Sequence, residues 1–110
     1  MYNNEIIGLL VLTCNIPNVL KEYKLSNLNY MLIDSIMVKE EYRGQGLQRK
    51  MLDFAYKRAK ELKMYGLVAT IHPDNIYSLN NFIEEKYEVI NTIKIHGGPR
   101  RIVIKNIIND

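Results

Sequence analysis

The residues best placed to do chemistry in this 110-residue chain lie in one hexapeptide, Arg43-Gly44-Gln45-Gly46-Leu47-Gln48, at the start of a helical period. Glycines at a helix start expose backbone N–H groups and the positive end of the helix dipole, which together suit a phosphate. Two of them let the backbone approach such a ligand closely. Arg43, Arg49 and Lys50 crowd the same turn, where the dipole disfavours cations and a bound anion would relieve the conflict. The two commonest phosphate loops fail on spacing. A P-loop needs Gly-Lys followed by Ser or Thr five residues after its first glycine, and a dinucleotide fingerprint needs a third glycine where Arg49 stands. Taken alone, the glycines would serve turn geometry equally well.

The elements around this turn decide how it is positioned. Residues 5 to 13 form a nearly continuous β-branched and leucine run, the pattern of a strand buried on both faces, ended by Asn15, Pro17 and Asn18. Residues 19 to 28 are polar and mixed and receive no assignment. Residues 30 to 38 read as a strand with an acidic Asp34 in its middle. From Leu47 the period changes to 3.6, with Leu47, Met51, Ala55, Ala59 and Leu62 as an apolar stripe beside Phe54, and Gly66 where a C-terminal cap belongs. Residues 67 to 71 predict a short buried strand closed by Pro73, Asp74 and Asn75. Asn75 can cap a second helix whose Leu79, Phe82 and Ile83 face inward. Tyr87, Val89, Ile93 and Ile95 alternate onto one strand face, Gly97, Gly98 and Pro99 make a turn, and residues 101 to 108 form a last strand. The two central strands joined by the long helix make a βαβ unit and should lie parallel.

Composition bounds the answer. Fifteen Lys and Arg against 12 Asp and Glu give a formal charge of +3, with 47% apolar and 25% charged residues, values of an ordinary soluble globular chain. Residues 1–110 read as a single domain, since a chain of this size buries about two-thirds of its unfolded surface in one core. A lone Cys14 supplies no internal disulfide and at most one metal ligand, so no metal site is expected. The longest apolar run, residues 6 to 12, is far short of the roughly 20 needed to span a bilayer and follows Glu5 instead of a basic segment. No membrane partner is expected, and the cytoplasm is the default compartment. Nor is nucleic acid: Arg100 and Arg101 offer only a small patch.

With its context, the glycine turn resembles the signature of the GNAT superfamily of acetyl-CoA-dependent N-acyltransferases: Arg or Gln, two residues, Gly, one residue, then Gly or Ala. Arg43 and Gly46 match it, and Gln48 departs at the small position. The preceding Ile36-Met37-Val38-Lys39-Glu40-Glu41-Tyr42 is similar to the family's strand and acidic turn, and Thr70-Ile71-His72-Pro73-Asp74-Asn75 with Ser78 to its second cofactor motif. The resemblance covers roughly residues 5 to 108. It implies an α+β fold with a mixed, mostly antiparallel sheet and a central parallel βαβ unit flanked by helices. It also implies acetyl-CoA as cosubstrate. The backbone of Gly44, Gln45, Gly46, Leu47 and Gln48 would hold the pyrophosphate, with Arg43 and Arg49 nearby. Backbone groups of Ile36, Met37 and Val38 would pair with the pantetheine arm as an added strand. Asn75 and Ser78 would contact the pantetheine or steady the loop, with helix capping as the other role of Asn75.

In this family a small or peptidyl primary amine attacks the thioester directly. Asp34 is the candidate general base, provided its strand is buried; on an alternating strand it would instead point to solvent. Met37 or Val38 N–H could meet the oxyanion. Family members often carry a tyrosine acid seven residues after the asparagine, but Phe82 stands there, leaving Tyr77 or Tyr87 to substitute. Cys14 and His72 read as structural. The chain also starts at what resembles the family's second strand, so the expectation is either that it is cut short or that another chain, such as a second copy in a homodimer, supplies the missing part of the acceptor wall. The competing expectation is a coenzyme A-binding domain with weak or lost catalysis.

Overall fold

A computed structural model describes residues 8–14, 29–95 and 98–107. The expected turn residues Asn15, Pro17 and Asn18, the unassigned 19–28, Gly97 and residue 108 lie outside them. The elements run β1 (Gly8–Thr13), β2 (Tyr30–Val38), a 3-10 turn (Glu40–Tyr42), α1 (Leu47–Glu61), β3 (Gly66–Ile71), α2 (Ile76–Glu84), β4 (Glu88–Ile95) and β5 (Gly98–Asn106). Among the described residues they form a five-stranded sheet of order β1-β2-β3-β5-β4. β2 and β3 are parallel, joined by a crossover through α1. The other neighbours are antiparallel.

The α-helical face of the sheet carries the larger core, in which Met31, Ile33, Leu67, Ala69, Ile71 and Val103 meet Leu52, Ala55 and Ala59 of α1 and Phe82 of α2. Tyr30, Leu32, Val68, Ile93 and Ile102 cluster on the opposite face. Alternation along each strand makes this division.

Several expectations are corrected. Among the described residues β1 lies at the sheet edge, and Leu9 and Val11 are exposed. The buried stripe of α1 is Gln48, Leu52, Ala55 and Ala59, a small rotation that leaves Phe54 58% exposed and Leu62 outside. Gly66 is not the helix cap. Its own close packing explains it: a Cβ there would lie 2.6 Å from the Lys105 carbonyl oxygen and 2.9 Å from the Tyr30 ring. The cap is made by Lys63 in the left-handed region (φ 57°), with Lys63 N–H donating to Lys60 O and Met64 N–H to Ala59 O. Ile83 is exposed while Phe82 alone on that turn is fully buried. Tyr87 precedes β4, and because Ile90 is an extra residue between the pairs Val89↔Val103 and Asn91↔Ile102, Ile93 falls on the sheet face opposite Tyr87, while Val89 is exposed.

Candidate active site

The site begins with an irregularity in β2. Val11 pairs with Ser35 and Leu12 with Ile33, so Asp34 is an extra, unpaired residue. Such a bulge bends and twists its strand. On the other side, β2 and β3 pair only through Tyr30↔Gly66, Met31↔Leu67 and Leu32↔Val68. Beyond Leu32 the two parallel strands part, and between them opens a cleft of about 300 Å³. Residues 33–37 form one wall, residues 69–72 the other, and Asn75, Ser78 and Phe82 of α2 close it, with Leu9 at the rim. The backbone of Ile36, Met37 and Val38 therefore has no strand partner on its β3 side among the described residues.

Where β2 ends, the chain turns through residues 40–42 into the glycine loop. Gly44 and Gly46 both have positive φ, 85° and 76°, and no atom stands within 4 Å of a Cβ placed on either. Gly46 is the N-cap of α1 and no side chain caps that helix. Its first N–H groups are thus left to whatever enters the loop, and its first turn holds no acid to compete. Arg43 is held close by: its Nε donates to Val38 O at 3.2 Å, and its guanidinium sits 4.9 Å from the centre of the Tyr77 ring. Arg49 is turned elsewhere, paired with Glu84 at 3.3 Å and Glu85 at 3.4 Å.

Gln48, the departure from the family signature, is buried. Its Nε2 donates to Ser78 Oγ at 2.7 Å. Asn75 accepts the Ser78 N–H on Oδ1 at 3.2 Å, so it caps α2 while lining the cleft. The loop, the start of α2 and the cleft are one connected unit.

The candidate acid and base are placed in different surroundings. Asp34 lines the cleft and is exposed, the second of the two placements expected for it: Ile33 packs into the helical core and the next side chain points to the outer face. Tyr87 is a core residue, not an acid in the cleft: its ring meets Phe82 edge-on at 4.8 Å and its buried hydroxyl has no hydrogen-bond partner. Burial, with Glu85 adding to it, pushes the phenol well above its ordinary value. Phe82, which has no proton to give, is the ring that borders the cleft. Leu9 and Ser35 line the cleft without having been singled out in the sequence, while Thr70 and His72 line it as part of the stretch similar to the second cofactor motif. Alternation places Thr70 of β3 and His72, just past its end, two residues apart, with Ala69 and Ile71 packed in the helical core.

The sequence matches the Acetyltransferase (GNAT) family profile over residues 1–85. No curated protein matches it. Among solved structures the fold is similar to that of Ard1 from Thermoplasma volcanium, with a TM-score of 0.78 at 11% identity, covering 97% of this chain and 67% of that one. It is similar too to a putative streptothricin acetyltransferase from Bacillus anthracis str. Ames in complex with acetyl coenzyme A, with a TM-score of 0.77 at 19% identity, covering 98% of this chain and 60% of that one. The NatC complex bound to Gag peptide and CoA gives 0.77 at 16% identity, covering 96% of this chain and 64% of that one. The chain therefore spans about two-thirds or less of the length of these relatives, and identities this low speak for the fold alone. Since the family profile covers most of its length, the chain belongs to the Acetyltransferase (GNAT) family.

Proposed function

We propose that this chain is an N-acetyltransferase that takes acetyl-CoA into the β2–β3 cleft and passes its acetyl group to a primary amine by direct attack in a ternary complex. One observation carries the reading: strand pairing stops at Leu32 and Val68, and the unpaired β2 edge runs straight into a positive-φ glycine loop at an uncapped helix start. A long ligand with an amide-bearing arm and a phosphate end fits that path. It also fits relatives whose structures hold acetyl coenzyme A or CoA.

Acetyl-CoA supplies the activated thioester. The backbone of Ile36, Met37 and Val38 would bond its pantetheine amides as an added strand does, while the N–H groups from Gly44 to Gln48 would face the pyrophosphate. Arg43, pinned by Val38 and Tyr77, would neutralise phosphate charge. Ser78, which accepts from Gln48, keeps its own proton to donate into the cleft. As the amine nitrogen bonds to the carbonyl carbon, the carbon–sulfur bond breaks, the nitrogen loses a proton and the thiolate gains one. Asp34 would draw an ammonium to the cleft and take its first proton, so that a neutral amine attacks, and the proton the nitrogen loses after attack goes to the thiolate. A Met37 or Val38 N–H would meet the oxyanion.

The placement of Phe82 and Tyr87 favours a second reading, a coenzyme A-binding domain with weak catalysis, since neither ring offers the leaving thiolate a proton. Calorimetry with acetyl-CoA followed by thiol release with an amine panel separates the two. Binding with release supports transfer, binding without release leaves the second reading, and no binding at millimolar acetyl-CoA defeats both.

A further inference from the structure

An apolar strip leads away from the mouth of the cleft across β1 and β2. Leu10 and Leu12 pack against the helical core, so Leu9 and Val11 turn to the opposite face of the sheet. Their register partners, Met37 and Ser35, share that face. Leu9, Val11 and Met37 are 42%, 37% and 52% exposed, and Leu9 and Met37 line the cleft itself. An apolar lining with a few placed polar groups is what a small-molecule site needs.

The charge at the same mouth has one sign. Asp34 is exposed on the face of the strip, between Ile33, which packs into the helical core, and Ser35. Among the described residues that line the cleft it is the one carboxylate, and no lysine or arginine stands with it. His72, the other titratable side chain of the lining, is tied to its own loop. Its Nδ1 accepts the Asp74 backbone N–H at 3.1 Å and lies 3.8 Å from the Asp74 carboxylate. A proton taken up there is countered by Asp74, not by a ligand in the cleft. Ser35 and Thr70 add a neutral hydroxyl on each wall.

We infer that the acceptor is an alkyl or arylalkyl amine without a carboxylate, its ammonium drawn to Asp34 and its apolar body laid on Leu9 and Met37. A carboxylate on the acceptor would enter a mouth that already holds one, and would find no lysine or arginine among the described lining residues to offset its desolvation. Each methylene covered by the strip should raise kcat/KM by about three-fold. This inference rests on the acetyl-transfer reading.

The test is thiol release from acetyl-CoA with ethylamine, 3-methylbutylamine, leucinamide and leucine, each rate referred to the neutral fraction of its amine. The expected kcat/KM for 3-methylbutylamine is at least ten-fold above that for ethylamine, which lacks the apolar body, and at least ten-fold above that for leucine, which adds only the carboxylate. Leucinamide, as bulky as leucine but without the charge, should stand above leucine. Leu9→Ser and Met37→Ser should each narrow the gap between the two bare amines through a higher KM for the longer one, whereas Leu9→Met should keep it, with circular dichroism checking that each variant is folded. Leucine turned over as well as 3-methylbutylamine overturns the acceptor class and leaves acetyl transfer standing. A flat response to chain length overturns it too, as does a uniform fall for every amine in both serine variants, which assigns Leu9 and Met37 a structural role. If acetyl-CoA binds and none of a wider amine panel releases thiol, acetyl transfer itself fails and the inference falls with it.

Discussion

Gln48 donates from Nε2 to Ser78 Oγ at 2.7 Å, and with Gln48 2% and Ser78 5% exposed the bond is buried. It ties the first turn of α1 to the first turn of α2, beside the Asn75 cap. The family signature has a small residue at this position, and this chain uses a long amide there to join the two helices. Ser78→Ala leaves a buried amide N–H without a partner and should cost about 1–3 kcal/mol. Gln48→Met orphans the hydroxyl instead. The double variant should recover part of the loss, giving a coupling energy above about 0.5 kcal/mol in a urea-unfolding cycle. Full additivity would mean that the bond contributes nothing.

Two glycines should fail in different ways. Gly46 has φ 76° with open space around it, so Gly46→Ala carries only backbone strain, about 1–2 kcal/mol, and stays folded. Its methyl would nevertheless stand in the loop that the pyrophosphate is proposed to enter, and acetyl-CoA affinity should fall at least ten-fold by calorimetry. Gly66 is the reverse case. Gly66→Ala drives a methyl into the Lys105 carbonyl and the Tyr30 ring, at a cost of about 3 kcal/mol seen as a lower melting temperature.

Lys63 and Lys86 both sit in the left-handed region, φ 57° and 72°, at the ends of α1 and α2. Each closes its helix with the same pair of backbone bonds, from Lys86 N–H to Ile83 O and Tyr87 N–H to Phe82 O in the second case. A glycine needs no strain to hold that conformation. Lys63→Gly should therefore raise stability by about 1 kcal/mol in denaturant titration, while the same change at the helical Lys57 should lower it by a similar amount.

These lysine caps show where the sequence is silent. A lysine in a left-handed cap leaves no composition signal, so the nearest glycine, Gly66, draws the assignment although backbone crowding in the sheet is what demands it. The β2–α1–β3 unit was legible because its hydrophobic period switches from 2 to 3.6 at Leu47, and the Asn75 cap because its side-chain oxygen serves one purpose there. The glycine loop was legible because positive φ selects its residue type. The splaying of the strands came only through the family resemblance; the bulge at Asp34 beside it was not legible, since it depends on register with β1, a pairing between distant segments. Tyr87 misled for a simpler reason: an amphipathic ring reads alike in a core and in a cleft.

The Tyr87 hydroxyl gives the most direct test of that last point. It is buried with no hydrogen-bond partner, and burial raises its pKa, with Glu85 contributing. Tyr30 is raised too, by burial and then by Tyr65. In the unfolded chain both phenols lose their protons near pH 10, while in the folded protein they hold them. Below pH 10 their contribution to stability is fully present. Above it the unfolded state binds fewer protons than the folded one, so stability should fall by up to about 1.4 kcal/mol per pH unit for each group until the folded phenol itself titrates. Tyr87→Phe should flatten that alkaline fall in urea titrations from pH 9 to 11. At pH 7 it should raise stability by about 1 kcal/mol, because it removes an orphaned polar group and keeps the ring against Phe82. Thiol release should continue at the unmodified rate. A ten-fold loss of kcat with stability unchanged would restore Tyr87 as the proton donor and place its hydroxyl in the cleft during turnover.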